Sequence, residues 1–194
     1  MQPQLYLASR SPRRQELLRQ VNLRFEVLPV DVSERREPGQ SPAEYARAVS
    51  LAKARAAMRL TALPLPVLGA DTDVVLDGEI LGKPDGRAAA LAMLAKLSGR
   101  SHEVFSAVAL VGGRRAETAL SVSRVTFGKI TPAMAAAYWD SFEPADKAGA
   151  YAIQGQGARF VRHIEGSYSG VMGLPLYETC ELLQRFGVEV LSPA

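Results

Sequence analysis

The chain has 194 residues, 23 Lys+Arg against 20 Asp+Glu, and is 47% hydrophobic and 22% charged, which suits one globular α/β-sized domain over 1–194 with a substantial core. Its single cysteine, Cys180, excludes an internal disulfide, and with only two histidines a tetrahedral zinc site within one chain is excluded too, so a metal would take oxygen ligands, as magnesium or manganese do. A net charge of +3 is weak ground for nucleic acid binding, and the lack of a basic leader or an apolar run near about 18 residues points to a cytoplasmic protein with no membrane anchor.

In chain order, Leu5-Tyr6-Leu7-Ala8 reads as a buried strand that runs straight into a helix over 12–20 through Ser9-Arg10-Ser11. Ser11 suits the N-cap and Pro12 the first helical position, so the free N–H groups of the first turn face the strand end. Arg13 and Arg14 add to the positive end of the helix dipole, an arrangement unfavourable by up to about 1 kcal/mol unless an anion lies between them. Guanidinium groups suit bidentate phosphate contacts, so this turn reads as a phosphate-binding element. The plainer alternative is a solvated basic face.

A second strand is predicted over 25–28, then a polar loop over 31–42 containing Asp31 and Glu34, capped by Ser41 at the start of an alanine-rich helix over roughly 43–61 that carries Lys53. The apolar stretch 67–70 reads as a short strand with Asp71-Thr72-Asp73 at its C-terminal end, where ligand sites of open α/β sheets gather. Asp71 as a turn former is the alternative. Residues 74–76 and 79–81 form a hairpin about Asp77-Gly78, which brings Lys83 back toward Asp71.

A helix over 87–97 precedes two long strands, 102–111 and 114–127, joined by Gly112-Gly113. His102 reads as a hydrogen bonder at a strand end, since no nucleophile pattern accompanies it. A helix from Thr131-Pro132 to Trp139 leads through a polar loop, 140–147, into the glycine-rich run 148–157, where Tyr151 and Gln154 lie among residues that let a backbone or ligand approach closely. A strand over 160–164, a glycine and serine loop over 165–173, a final helix over 174–186 and a short strand complete the chain. Cys180 falls in the apolar pattern of that helix and reads as an inert thiol.

Collected, Ser9, the cations Arg13, Arg14, Lys53 and Lys83, the carboxylates Asp71 and Glu34, and Gln154 suit a polyphosphate held with a divalent cation and attacked by water. Asp71 either orients and deprotonates that water or ligates the metal. The stretches 7–18, 69–72, 82–84, 97–102, 147–155 and 173–176 together resemble the Maf family of nucleoside triphosphate pyrophosphatases, in order and over nearly the whole chain. The resemblance implies cleavage between the α and β phosphates with a divalent cation, a mixed elongated sheet flanked by helices, two lobes around a central cleft similar to that of inosine triphosphate pyrophosphatases, a homodimer, and a link to removal of non-standard nucleotides and to division arrest. It also implies Asp71 as proton acceptor, Ser9, Arg13, Arg14, Lys53 and Lys83 as substrate contacts, and Glu34 as an acidic residue near the site, a metal ligand together with Asp71.

Arg13, Thr72 and Gln154 resemble the branch acting on dTTP and UTP, where the branch acting on 7-methyl-GTP has an aromatic residue, glutamine and glutamate. Gln154 offers one donor and one acceptor to the O4 and N3–H edge of thymine or uracil, an edge whose carbonyl a carboxylate would repel. Three departures stand out. Asp73 occupies a position usually aliphatic and either adds a metal ligand or faces solvent. Ser33 replaces an acidic residue, and Ala48 replaces an arginine, with Arg47 one position early. The competing readings are the 7-methyl-GTP activity and a basic module that binds nucleic acid or a division partner without turnover.

Overall fold

The computed structural model describes residues 2–191. Its strands are β1 (Leu5–Leu7), β2 (Phe25–Val27), β3 (Val67–Leu76), β4 (Glu79–Leu81), β5 (Ser101–Gly112), β6 (Arg115–Phe127) and β7 (Val161–Glu165), and its α-helices are α1 (Pro12–Gln20), α2 (Pro42–Met58), α3 (Gly86–Leu97), α4 (Pro132–Trp139), α5 (Tyr168–Met172) and α6 (Leu176–Arg185). The strands form one seven-stranded mixed sheet in the order β2-β1-β3-β5-β6-β7, with β4 also on β3. β1 pairs parallel with β2 and β3, and the remaining pairs are antiparallel.

β3, β5 and β6 are the long spine, and apolar side chains alternate along them. At one end Leu5, Leu7, Leu68, Ala70, Val108 and Leu110 pack beneath α1 and α6, while α2 covers the opposite face through Ala54 and Ala57 against Tyr6, Val67 and Ala109. At the other end Val74, Leu81, Val104, Val125 and Phe127 meet α3 and α4. The two lobes are thus the two ends of one sheet.

β3 differs from expectation. It does not stop at Ala70 but continues to Leu76, because β5 pairs with it residue for residue from Val67↔Val111 through Asp71↔Ala107 to Val75↔Glu103. Asp71 therefore lies in mid-strand. On the other edge of β3, β1 pairs only with Val67 and Leu68, and β4 only with Val74 to Leu76. The edge between them faces neither strand, and there the carboxyl end of β1 opens into the cleft, so the strand-end argument holds for β1 and not for β3.

Smaller differences follow from local bonding. Ser11 is the N-cap residue of α1, yet its side chain makes no capping bond; instead the Ser11 N–H donates to Ser9 Oγ at 3.2 Å. Ser41 does cap α2, in a reciprocal box with Glu44. The segment expected to be a loop before Gly173 holds α5, capped by Ser167, and 140–147 holds a 3₁₀ turn, Glu143–Asp146. Among the described residues no strand follows α6: both edges of β1 are already taken, and Val188 and Val190 pack onto the core without pairing. Cys180 is half-buried and burial pushes its thiol up, in keeping with an inert residue.

His102 is buried, 2.8 Å from the Tyr151 hydroxyl and edge-on to Phe127. Burial holds its imidazole down at about 4. Its folded value lies below the unfolded one, so the folded chain binds fewer protons in between, and stability is expected to fall as pH drops from about 6.5 to about 4, by on the order of 3 kcal/mol in total. Denaturant titrations of the wild type and His102→Phe across that window check this, with the variant expected to show a flatter slope.

Candidate active site

A cleft of about 640 Å³ lies along the open edge of β3, and Ser9, Arg13, Arg14, Glu34, Lys53, Asp71, Thr72, Lys83 and Gln154 all line it. The sequence-derived residues therefore converge from six different parts of the chain.

The β1–α1 turn supplies the first group. Arg14 is half-buried and its guanidinium fans out: Nε donates to the Gly173 carbonyl at 2.8 Å, one terminal nitrogen to Ser9 Oγ at 3.2 Å, and the other to Thr72 Oγ1 at 3.4 Å. Burial lowers its pKa, opposed by the charges of Asp71 and Glu34. Thr72 donates to the same carbonyl at 3.3 Å and accepts from Ser106 Oγ at 3.1 Å. Arg14 thus ties α1 to β3 and to the chain after α5. Arg13, one residue earlier, is half-buried on the cleft wall.

On the α2 side of β3 stands a second group. Lys53 Nζ lies 2.7 Å from Asp71 Oδ1 and 2.8 Å from Glu34 Oε1, with only 13% and 11% of the Lys53 and Asp71 side chains exposed. The Tyr45 hydroxyl donates to the Glu34 carbonyl at 2.8 Å and holds the loop in place. Burial pushes the Glu34 carboxyl up, but the hydrogen bond and charge of Lys53, with Lys83 and Arg14 behind, leave it below its ordinary value. Two residues along the same face, Asp73 is 8% exposed, and its Oδ2 is buried without a hydrogen-bond partner. Burial first, then the charge of Asp71 and a hydrogen bond with it, raise the Asp73 carboxyl to about 8. Asp73 does not face solvent.

Gly69 makes this geometry accessible. A Cβ there would overlap the Ser50 carbonyl and stand 2.7 Å from Ala54 N, so α2 lies directly on the β3 backbone and Lys53 reaches Asp71. Gly69→Ala is expected to destabilise by about 1–3 kcal/mol through overpacking and to separate Lys53 from Asp71, checked by thermal denaturation.

The third group comes from the other lobe. Lys83 follows β4, and Lys147, half-buried and paired with Asp146, joins it on the cleft wall. Burial, and then the charge of Arg13, lower the Lys147 ammonium to about 8, with Glu143 opposing. Gln154 is exposed to the cleft. Its glycine neighbours serve packing: Gly149, at φ +65°, presses on Val74, Gly155 on the Glu143 carboxylate, and Gly157 on the Tyr138 hydroxyl. Sequence reasoning singled out neither Lys147 nor Glu143, although Lys147 opens the run 147–155. Arg47 does not stand in for the arginine missing at Ala48, because it donates to Thr118 Oγ1 at 3.1 Å and does not line the cleft.

Cations on three walls around buried carboxylates define a cleft for a polyanion whose charge must be neutralised as it reacts. The Maf family model, for Maf-like proteins, matches residues 4–186, and the chain belongs to that family. The dTTP/UTP pyrophosphatase of Xanthomonas euvesicatoria pv. vesicatoria (strain 85-10) is 54% identical over 187 residues, which cover 94% of this chain and 98% of that one. The dTTP/UTP pyrophosphatase of Saccharophagus degradans (strain 2-40 / ATCC 43961 / DSM 17024) is 50% identical over 189 residues, 96% of this chain and 90% of that one. The Staphylococcus aureus Ham1 protein shares the fold, with a TM-score of 0.51 at 18% identity over 94% of this chain and 96% of that one. No helix among the described residues is long and apolar enough to cross a membrane.

Proposed function

We propose that this chain is a nucleoside triphosphate pyrophosphatase that hydrolyses dTTP and UTP to the nucleoside monophosphate and pyrophosphate. The observation that carries the reading is Asp71, held by Lys53 in mid-strand on the floor of a cleft whose walls carry Arg13, Arg14, Lys83 and Lys147. The relatives at 54% and 50% identity bear dTTP/UTP pyrophosphatase names, which supports the substrate class.

Water adds to the α-phosphorus, the bond from that phosphorus to the α–β bridging oxygen breaks, and pyrophosphate leaves with the bridging oxygen and its electron pair. The proton of the attacking water passes to the Asp71 carboxylate. Arg13 and Arg14, with Ser9, bind phosphate oxygens at the β1–α1 turn, and Lys83 and Lys147 balance charge from the other lobe. Lys53 fixes the orientation of Asp71. Gln154 reads the O4 and N3–H edge of the base, with Arg13 and Thr72 completing the pyrimidine preference.

The residues fit a divalent cation. The donors are carboxylate oxygens, of which Asp73 Oδ2 is buried and lacks a partner. Among the described residues no group of three potential ligands forms a cage, but magnesium takes one or two carboxylates beside substrate phosphates. Asp71 and Asp73, with Glu34 beyond Lys53, would hold it, and the ion would supply charge neutralisation at the phosphates when bound. A cytoplasmic location and a homodimer belong to the same reading.

Pyrophosphate release from dTTP, UTP, CTP, GTP and 7-methyl-GTP, with and without magnesium or manganese, tests it. Metal-dependent release mainly from dTTP and UTP is the expected result. Preference for 7-methyl-GTP would keep the enzyme and overturn the base assignment, and no turnover would overturn the activity.

A further inference from the structure

Across the cleft from α1, the loop that carries Gln154 is gathered onto one carboxylate. Glu143 Oε1 accepts from the Tyr138 hydroxyl at 2.7 Å and from the Gly157 N–H at 3.0 Å, while Oε2 accepts from the Gln156 N–H at 2.9 Å. The Tyr138 hydroxyl in turn accepts from the Ala152 N–H at 3.0 Å. Three backbone amides on either side of Gln154 thus end on the Glu143–Tyr138 pair. The Cβ that Gly155 lacks would stand 2.7 Å from Oε1 and closer still to Oε2, so the carboxylate rests directly on the backbone next to Gln154.

The carboxylate is itself firmly placed. It opens the 3₁₀ turn Glu143–Asp146 after Phe142, a residue that is 80% exposed yet held at φ +60°. A left-handed conformation at a non-glycine residue costs about 1–2 kcal/mol, and persists where the surroundings over-determine it. Here Phe142 N–H donates to the Trp139 carbonyl at 2.9 Å and Ser141 Oγ to the Tyr138 carbonyl at 2.6 Å. The charge of the same carboxylate is felt at Arg13 as well: burial lowers the Arg13 pKa, and Glu143, followed by Tyr138, opposes that shift without cancelling it.

We propose that Glu143 is a positioning residue for base selection, which holds the 152–157 loop so that Gln154 meets the base at a fixed distance from Arg13. The inference rests on the pyrimidine triphosphate reading of the cleft. A pre-organised donor and acceptor discriminates between bases because the wrong base leaves it unpaired, whereas a side chain on a loose loop adapts to both. The C4 carbonyl of uracil and the C4 amino group of cytosine differ at the edge Gln154 would read.

Two variants test this. Glu143→Gln keeps the shape but turns an amide toward the Gln156 or Gly157 N–H, and Gly155→Ala displaces the carboxylate with no change of charge. The ratio of kcat/KM for UTP to that for CTP is expected to fall about tenfold in both, mainly through KM for UTP, with faster amide hydrogen exchange confined to residues 152–157. Unchanged selectivity in both variants, with or without faster exchange, would overturn the proposal, since a purely structural anchor alters exchange and melting temperature but not the base ratio. Equilibrium binding of UMP and CMP gives the same comparison without turnover. A wild type that hydrolyses no triphosphate defeats the functional reading, while an unaltered UMP to CMP binding ratio in the variants defeats the role of Glu143.

Discussion

Asp71→Asn is expected to lower pyrophosphate release from UTP by about a thousandfold and to leave the fold in place, a positioned general base being worth about 10²–10⁴-fold. The separation of the two effects follows from the local geometry. Asparagine keeps the size of the side chain and an oxygen for Lys53 Nζ, which lies 2.7 Å from Asp71 Oδ1, and Glu34 still holds Lys53 at 2.8 Å. α2 therefore stays seated on β3 over Gly69, and ten residues of β3 remain paired with their neighbours. What disappears is the negative charge and the capacity to accept a proton from water. Melting temperature within a few degrees of wild type, together with the loss of turnover, is the outcome that assigns Asp71 to the chemistry. Turnover within tenfold of wild type would move the proton acceptor to another group.

Short-range pattern made part of this site legible. Strand, cap, proline and paired arginines lie within about ten residues, and the physics of a helix N-terminus does not depend on distant partners. The limit of β3 was hidden for the opposite reason. Asp71-Thr72-Asp73 interrupts an apolar run and reads as the end of a strand, but in the fold Asp71 is paired with Lys53 from α2, and Thr72 with Arg14 from α1. Polar residues are at home in a buried strand once partners arrive from elsewhere in the chain, and no periodicity announces such partners. The glycines of 148–157 were legible as close approach, but what approaches is protein. Gly155 and Gly157 accommodate Glu143 and the Tyr138 hydroxyl, across a loop that has no repeat to reveal it. Lys147 was invisible as a charge on the cleft because a lone lysine before a glycine run is ordinarily solvated. Resemblance to a family carried the residue roles, and composition could not have done so.

Asp73→Val is expected to raise the melting temperature of the metal-free protein and to weaken its hold on a divalent cation. Valine is the kind of side chain the family resemblance leads one to expect there, and its branched Cβ suits a strand interior. The wild-type carboxyl has a buried Oδ2 with no partner, and an unsatisfied buried polar atom costs about 1–3 kcal/mol, or about 2–4 °C per kcal/mol in a domain of this size. The sign of the pH dependence is fixed by its raised value. With the folded carboxyl near 8 and the ordinary one at 3.8, the folded chain binds the proton more tightly than the unfolded chain, so wild-type stability declines as pH climbs through that interval. The advantage of the variant should therefore be small near pH 4 and grow toward pH 8. Melting in chelator across this range measures the first effect, and Mn²⁺ titration followed by electron paramagnetic resonance measures the second. A variant that melts higher in chelator but binds Mn²⁺ as tightly as wild type would make Asp73 a burden on the strand alone, and leave Asp71 and Glu34 to hold the ion.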